Sequence, residues 1–369
     1  MSERKLLMIP GPIEFDPSVI EKMGVPTLSH VAPAFIESFG RAIEMMRDVW
    51  LCSVGQPFIV AGSGTLAMEM AGANLIEPGD NVLVISTGYF GERYAELLKR
   101  YGANVTFMQS EVGDVVPLDR IESELSAGNY KLMTFTHVDT STGVIVDAKA
   151  MGALAQKHNV LSILDGVCSV AGEEIRQEEW EIDVVVTASQ KAVGVPPGLA
   201  LLVASPKAMS IWENRKTPVD NYYCDWENWL PIMKAYEARN PSYFATPPVN
   251  LIQALETSFT LILAEGMDPR FARHKQLSQK FRSELSALGI TFLPNSENIT
   301  ANTLTAAYYP KDVSGSAFLD GVGAAGVIIA GGLLPSHKTQ YFRVGHMGIV
   351  SDAHVDRTAE AIKKSLGLV

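Results

Sequence analysis

The feature that most constrains the fold of this chain is a series of short apolar segments between residues 57 and 204. They are Pro57–Ala61, Val82–Ser86, Val105–Gln109, Lys131–Thr136, Leu161–Asp165, Asp183–Thr187 and Leu199–Val203. Several are apolar at nearly every position, which is typical of strands covered on both faces in a parallel sheet. Helical patterns fill the intervals, at Leu66–Ile76, Glu92–Tyr101, Leu118–Leu125 and Ala148–His158. The alternation predicts an α/β domain with a mostly parallel, seven-stranded sheet.

The last of these strands is predicted to run against its neighbour. Only Ser189–Gly198 separates it from the preceding strand, whereas a parallel crossover needs about a dozen residues or more, usually a helix. We therefore expect Leu199–Val203 to be antiparallel.

The chain beyond residue 212 has a different pattern. Trp212–Pro248 is rich in Trp, Tyr and Pro and is interpreted as irregular, while Val249–Gly266 has the apolar spacing of a long linking helix. Helical patterns then alternate with strand candidates at Thr291–Leu293, Thr303–Tyr308, Val327–Ala330 and Tyr341–Val344. This predicts a smaller α+β domain. We divide the chain into an N-terminal segment (1–15), a large domain (16–250) and a small C-terminal domain (251–369).

The composition excludes several classes of protein. A net charge of −11 argues against a nucleic-acid partner, which would require basic patches. No apolar run reaches the roughly 18 residues of a membrane span, and Met1–Leu7 lacks the apolar core of a secretory signal. Cys52, Cys168 and Cys224 are far apart, which suggests a reducing compartment without disulfides. We therefore expect a cytoplasmic protein with no membrane partner.

A motif of small residues, Gly62-Ser63-Gly64-Thr65, lies between a predicted strand and a predicted helix. Small residues let the backbone approach an anion, and a helix N-terminus offers free N–H groups and the positive end of the helix dipole. A plain strand-to-helix turn with Ser63 or Thr65 as N-cap has the same sequence. Taken alone, the motif favours that simpler interpretation.

Two charged residues follow successive strands. Asp165 ends the apolar strand LSILD, and Lys191 follows DVVVTA on a loop rich in Gly and Pro. Ligands of open α/β sheets bind at such strand ends. Each residue alone has a simpler interpretation, Asp165 as a loop or N-cap carboxylate and Lys191 as a surface lysine. Together with the small-residue motif they are the parts that pyridoxal phosphate requires: a phosphate clamp, a partner for the pyridinium nitrogen and a Schiff-base lysine.

The order of these parts resembles that of the fold-type I pyridoxal-phosphate enzymes, and the chain resembles the class V aminotransferases over nearly its full length. It is most similar to their alanine–glyoxylate / serine–pyruvate branch, particularly the yeast-type members. The matching stretches are Ile9–Ile13, Ala61–Leu66, His137–Gly143, Thr187–Ala192, Tyr243–Val249, Val327–Gly332 and Phe342–Gly348. The resemblance implies pyridoxal phosphate as cofactor, no metal ion, and a homodimer whose active sites are shared between chains.

The resemblance also implies a set of cofactor contacts. They are Ser63, Gly64, Thr65 and Gln190 at the phosphate, Phe90 and Val167 on the two ring faces, Thr140 at the phenolic oxygen, Asp165 at the pyridine nitrogen and Lys191 in the covalent bond. Tyr243 and Thr246 would reach the phosphate held by the partner chain. Without the resemblance, Phe90 would be interpreted as a core residue.

For the substrate, the resemblance implies that Arg343 holds the α-carboxylate and that Gly11 and Thr140 line the pocket, near His30. Arginine presents a planar fork that matches a carboxylate with two hydrogen bonds. An arginine inside the apolar strand YFRVG also calls for a buried anionic partner. His30 is equally well interpreted as an exposed loop histidine.

The implied reaction is a ping-pong transamination from L-alanine to glyoxylate, in which Lys191 moves the Cα proton as general base and acid. Serine–pyruvate and serine–glyoxylate transamination are the alternatives. A lyase such as a cysteine desulfurase is less well supported, because Gln190 precedes Lys191 and no cysteine follows Cys224. A non-catalytic binding protein would be expected to lack Lys191, Asp165 or Arg343, and all are present.

Overall fold

The computed structural model describes residues 4–368 and contains one large sheet and two small ones. The strands are β1 (Leu6–Leu7), β2 (Gln56–Ala61), β3 (Asn81–Ser86), β4 (Asn104–Gln109), β5 (Leu132–Thr136), β6 (Leu161–Asp165), β7 (Val184–Ala188), β8 (Leu199–Ala204), β9 (Leu304–Tyr308), β10 (Val327–Ile328), β11 (Ala330–Gly331) and β12 (Tyr341–Gly345).

Helices account for about half of the remaining described chain. They are α1 (Pro17–Gly24), α2 (Pro33–Trp50), α3 (Gly64–Leu75), α4 (Tyr89–Arg100), α5 (Leu118–Ala127), α6 (Ala148–Lys157), α7 (Pro206–Glu213), α8 (Trp226–Glu237), α9 (Val249–Glu265), α10 (Met267–Ala287), α11 (Gly315–Ala324) and α12 (Asp352–Ser365), with a 3₁₀ turn at Glu297–Ile299. No helix in residues 4–368 is both long enough and apolar enough to cross a membrane.

The large sheet has the strand order β2-β8-β7-β6-β5-β3-β4. Strands β3 to β7 are parallel to one another, and β8 runs antiparallel to both of its neighbours, β7 and β2. Every residue of β5 to β8 is buried, which explains why these strands are apolar on both faces. The predicted fold class and the antiparallel direction of Leu199–Val203 are confirmed, since the intervening loop is too short for a crossover.

The prediction that Trp212–Pro248 is irregular is wrong for its central part, where α8 lies. This helix begins after Asp225, whose carboxylate accepts a hydrogen bond from the Glu227 N–H at 2.9 Å. Pro231 lies inside it and removes one backbone hydrogen bond. The buried side chains recur at helical spacing and offset that loss; they are Trp226, Trp229, Ile232, Met233 and Tyr236.

The C-terminal part contains a small antiparallel sheet of β11, β12 and β9, while β1 pairs in parallel with β10. Two predicted strands are wrong in detail. Thr291–Leu293 makes only an isolated bridge, between Phe292 and Ala307, and is followed at once by Pro294, which lacks an N–H donor. The predicted strand Val327–Ala330 is divided between β10 and β11, which belong to different sheets.

The apolar side chains form a large cluster around the seven-stranded sheet and a smaller one around the C-terminal sheet. Helix α9 packs on α1 and α2 in the large cluster, whereas Phe281 of α10 belongs to the smaller one. Leu6 and Met8 of the N-terminal segment also pack in the smaller cluster. The domain limits given above stay a prediction.

Candidate active site

A cavity of about 410 Å³ opens beside the carboxyl ends of β5 and β6 and the N-terminus of α3. Ten predicted site residues line it: Gly11, Ser63, Gly64, Thr65, Phe90, Thr140, Asp165, Val167, Gln190 and Lys191. The remaining lining residues were not predicted from the sequence; they are Met68, Glu69, Arg93, Glu96, Leu97 and Arg100. Four of them, Arg93, Glu96, Leu97 and Arg100, recur at helical spacing along one face of α4. This spacing is the only feature of the sequence that indicates them.

The N-terminus of α3 is open toward the cavity. Ser63 is the N-cap residue by its backbone angles, but its side chain makes no capping hydrogen bond. In the described part of the chain no protein group accepts from the N–H groups of Gly64, Thr65 or Leu66. A Cβ on Gly64 would lie 2.7 Å from Val167 Cγ2, so only glycine fits there. Unused N–H groups at a helix start form an anion site.

Asp165 lies at the end of β6 and is buried. Its Oδ1 accepts a hydrogen bond from the Val167 N–H at 3.0 Å, and Thr136 Oγ1 is 3.5 Å from its Oδ2. Burial raises the pKa of Asp165 to about 6, and the nearby carboxylate of Asp139 acts in the same direction. A buried carboxylate with this raised pKa is stabilised in its charged form by a cationic partner.

Lys191 lies on the loop that follows β7 and is buried, with its Nζ donating to the carbonyl oxygen of Pro10. Burial lowers the pKa of the amine, and the charge of Arg343 lowers it further. Gly11 makes room for this side chain: a Cβ there would be 2.5 Å from Lys191 Cδ, and its φ of 115° suits glycine. A lysine with a lowered pKa is a nucleophile toward carbonyl carbons. Beside it, Gln190 Oε1 is buried and has no hydrogen-bond partner within residues 4–368.

Arg343 lies on β12, next to the cavity but outside its immediate lining. Its Nε donates to Gly331 O at 2.9 Å and its Nη1 to Thr140 O at 3.1 Å. Both acceptors are neutral, and no carboxylate pairs with Arg343 in the described residues. Burial lowers the pKa of the guanidinium, which fits a charge whose anionic partner comes from outside the chain.

Tyr243 and Thr246 are not brought to the cavity of their own chain. Tyr243 is 63% exposed, and its hydroxyl lies 3.4 Å from Thr246 Oγ1. The ring of His30 lies 5.4 Å from that of Tyr243, so it belongs to the same exterior patch and not to the cavity.

Four features together are typical of one class of cofactor-dependent transferases: a mixed α/β sheet, an anion site at α3, a buried acid and a buried lysine. Residues 35–345 match the class V aminotransferase family, and this chain belongs to that family. It is 38% identical to alanine–glyoxylate aminotransferase 1 of Saccharomyces cerevisiae over 94% of this chain and 92% of that protein. It is 32% identical to an L-aspartate–glyoxylate aminotransferase of Paracoccus denitrificans over all of this chain and 93% of that one.

Among solved structures, the alanine–glyoxylate aminotransferase of Nostoc sp. superimposes with a TM-score of 0.93 at 30% identity, over 99% of this chain and 96% of that one. The protein is therefore a pyridoxal-phosphate-dependent transaminase that acts on small amino and 2-oxo acids. The residues present fit the cofactor. The free N–H groups at α3 suit a phosphate, Asp165 suits a protonated ring nitrogen, and the Lys191 amine suits a carbonyl carbon.

Proposed function

We propose that the protein transfers the amino group of L-alanine to glyoxylate, giving pyruvate and glycine. One observation supports this proposal above all: Lys191, Asp165 and the open N-terminus of α3 line the same cavity. Arg343 lies beside that cavity and has no carboxylate partner within the described residues. The choice of alanine and glyoxylate is supported by the name of the yeast relative. Serine as donor is the second candidate, because small pockets discriminate poorly against one added hydroxyl.

The proposed cofactor contacts are those of the cavity. Ser63, Gly64, Thr65 and Gln190 hold the phosphate, Phe90 and Val167 cover the ring, Thr140 binds the phenolic oxygen, Asp165 binds the ring nitrogen and Lys191 forms the covalent bond. When bound, pyridoxal phosphate withdraws electrons from the substrate Cα and so makes its proton acidic. Asp165 keeps the ring nitrogen protonated, which maintains that withdrawal.

Lys191 and Arg343 act on the substrate. Arg343 binds the α-carboxylate of the substrate. This carboxylate supplies the anionic partner that Arg343 lacks within residues 4–368. The released Lys191 Nζ accepts the Cα proton, and its lowered pKa supplies the neutral amine that this step requires. Gly11 and Thr140 line the substrate side. The same groups work in reverse on the second 2-oxo acid.

A desulfurase reaction is disfavoured by the state of the cysteines. Cys52, Cys168 and Cys224 are all buried, and burial raises the pKa of Cys52 to about 11 and that of Cys224 to about 12. Their thiols are therefore protonated and inert near neutral pH. These free cysteines also suit the reducing cytoplasm, which we propose as the compartment.

A half-reaction screen tests the proposed substrate. Each amino acid is added alone to the holoenzyme, and the visible absorbance of the bound cofactor is followed. L-alanine is expected to bleach it fastest, with L-serine next and L-aspartate slower. Faster bleaching by L-aspartate would replace the proposed donor but not the reaction class.

Replacing Arg343 with lysine is expected to raise KM for both L-alanine and glyoxylate, by about tenfold or more, because lysine cannot form the two parallel hydrogen bonds. Steady-state kinetics with each substrate varied in turn measure this. Arg357→Lys is the matched control, since Arg357 is exposed and donates to Gly326 O, away from the cavity. Unchanged KM values for both substrates would remove Arg343 from the pocket.

The active unit is proposed to be a homodimer in which Tyr243 and Thr246 serve the partner's phosphate. Their exposure and their separation from the cavity of their own chain support this. Co-refolding Lys191→Ala chains with Thr246→Asp chains is expected to restore about a quarter of native activity, since about half the dimers are mixed and each has one intact site. Each variant refolded alone is the control and is expected to be nearly inactive. No recovery on mixing would mean that both residues serve the same chain.

A further inference from the structure

One buried carboxylate near the cavity has no role in the proposed chemistry. Asp139 is fully buried in the loop after β5 and does not line the cavity. Its Oδ1 accepts hydrogen bonds from the Ser141 N–H at 2.8 Å and the Ser141 hydroxyl at 2.5 Å. Its Oδ2 accepts from the Phe90 N–H at 3.0 Å. Both carboxylate oxygens are therefore used, and they join two separate segments of the chain.

The first of these segments is the start of α4. The N-cap residue Gly88 has no side chain to cap the helix, so the first N–H groups depend on other parts of the chain. The Tyr89 N–H donates to Ser141 Oγ at 3.1 Å, and the Phe90 N–H donates to Asp139. A negative charge at this end of a helix is also favoured by the helix dipole. Asp139 and Ser141 thus cap α4 from 49 and 52 residues away.

Gly88 is the residue that lets the carboxylate approach. A Cβ at this position would lie 2.5 Å from Ser141 Oγ and 2.7 Å from Asp139 Cγ. Its φ of 170° is extended backbone, which any residue adopts, so the need for glycine here is one of space alone.

The second segment is the loop that carries Thr140. This loop is also held from β12, where Tyr341 donates to Ser141 O at 2.6 Å and Arg343 donates to Thr140 O at 3.1 Å. Asp139 and Ser141 therefore join the start of α4 to the Thr140 loop, and β12 binds the same loop through Tyr341 and Arg343. Phe90 and Thr140 on these elements line the cavity, and Arg343 lies beside it.

We propose that Asp139 is a positioning residue for transamination, fixing the ring of Phe90 and the side chain of Thr140 relative to each other across the bound cofactor. This rests on the proposed function, because Phe90 and Thr140 matter to catalysis only as cofactor contacts. Asp139 itself touches neither cofactor nor substrate. It acts by keeping two contacts from different elements in one geometry, and displacements of about 1 Å in such contacts cost up to about a hundredfold in rate.

The test compares Asp139→Asn with a control that makes the same substitution at another helix cap. The asparagine has the same shape, but its amide group cannot accept from both Ser141 and Phe90. Asp147→Asn is the control, because Asp147 caps α6 by accepting from the Ala150 N–H at 2.9 Å and is exposed. For each variant we would measure kcat and KM for L-alanine and glyoxylate, the visible circular dichroism of the bound cofactor, the dissociation constant for pyridoxal phosphate and the Tm.

The expected result for Asp139→Asn is a kcat lower by about tenfold or more, a weaker visible dichroism and a dissociation constant raised about tenfold, with KM little changed. Asp147→Asn should leave kcat, KM, the visible dichroism and the dissociation constant native and change the Tm little, because asparagine also caps a helix N-terminus. If Asp139→Asn does not fold, Gly88→Ala is tested in its place. Its added methyl group would push the start of α4 away from the Thr140 loop, and the same quantities would be measured. A folded variant with native kcat and native visible dichroism would overturn the proposal, even if its Tm had dropped.

The two proposals fail in different ways. If the native protein transaminated no amino acid, the proposed function would be lost, and kcat would carry no information about Asp139. The visible dichroism and the dissociation constant of pyridoxal phosphate would still decide whether Asp139 positions the cofactor contacts.

Discussion

Replacing Lys191 with alanine is expected to lower kcat by at least about 10⁴-fold, because it removes both the covalent anchor and the proton-transfer group. The side chain is buried, and its Nζ donates to Pro10 O at the edge of the cavity. No other lysine lines this cavity, so none is placed to take over within the described chain.

The fold is expected to persist in this variant. Burial lowers the pKa of the Lys191 amine, which means that the folded protein pays a desolvation cost to hold the charged form. Alanine removes that cost together with the amine. Circular dichroism in the far ultraviolet and the Tm would therefore remain close to native, and the visible band of the bound cofactor would change.

Two further variants make the Lys191 test specific. Lys191→Arg keeps a positive charge but cannot lose its proton, so it is expected to be as inactive as the alanine variant. Lys207→Ala is the matched control: this lysine is half-buried, donates to Val160 O at 3.3 Å and lies away from the cavity, so kcat should stay native. Substantial transamination by Lys191→Ala would contradict the assignment of the whole site.

The strands of the large sheet were predictable because burial on both faces leaves little freedom in their composition. β6 has the predicted bounds, and the other strands of that sheet differ from prediction by a residue at one or both ends. The direction of β8 was also predictable, because the length of Ser189–Gly198 excludes a crossover. The strand ends then bring Asp165 and the Lys191 loop to the same edge of the sheet.

Long-range contacts of the backbone were not predictable in this way. The Asp139 carboxylate binds the Phe90 N–H, and a hydrogen bond to a main-chain group leaves no mark in the sequence of the donor. Arg343 was expected to have a buried anion, and within the described residues it instead donates to two carbonyl groups. Helix α8 was obscured by Pro231, although its buried residues follow a helical repeat.

Replacing Asp165 with asparagine is expected to lower kcat by about a hundredfold or more, because a neutral amide no longer stabilises the protonated ring nitrogen of the cofactor. The substitution preserves the shape of the side chain, and its Oδ1 can still accept from the Val167 N–H, which Asp165 does at 3.0 Å. A lower kcat would therefore result from the loss of the negative charge and not from altered packing. Near-native kcat would make Asp165 a structural cap instead.

The same substitution should stabilise the protein when no cofactor is bound. The pKa of Asp165 is raised from 3.8 to about 6 in the folded chain, so the folded state holds a proton that the unfolded state has released. The contribution of Asp165 to stability therefore falls as pH rises from 3.8 to about 6 and is constant above that. A pKa rise of this size corresponds to a loss of folding stability of roughly 3 kcal/mol at higher pH. Asparagine has no proton to release and does not incur this loss.

Thermal unfolding of the cofactor-free proteins at pH 8 and at pH 5 measures this effect. At pH 8 the Asp165→Asn variant should have a Tm several degrees above native, and the difference should shrink at pH 5. Adding pyridoxal phosphate should then raise the Tm of the native protein more than that of the variant, because only the native site gains a charge pair on binding. A cofactor-free variant that melts below the native protein at pH 8, with an equal gain from the cofactor, would show that Asp165 serves the fold and not the cofactor.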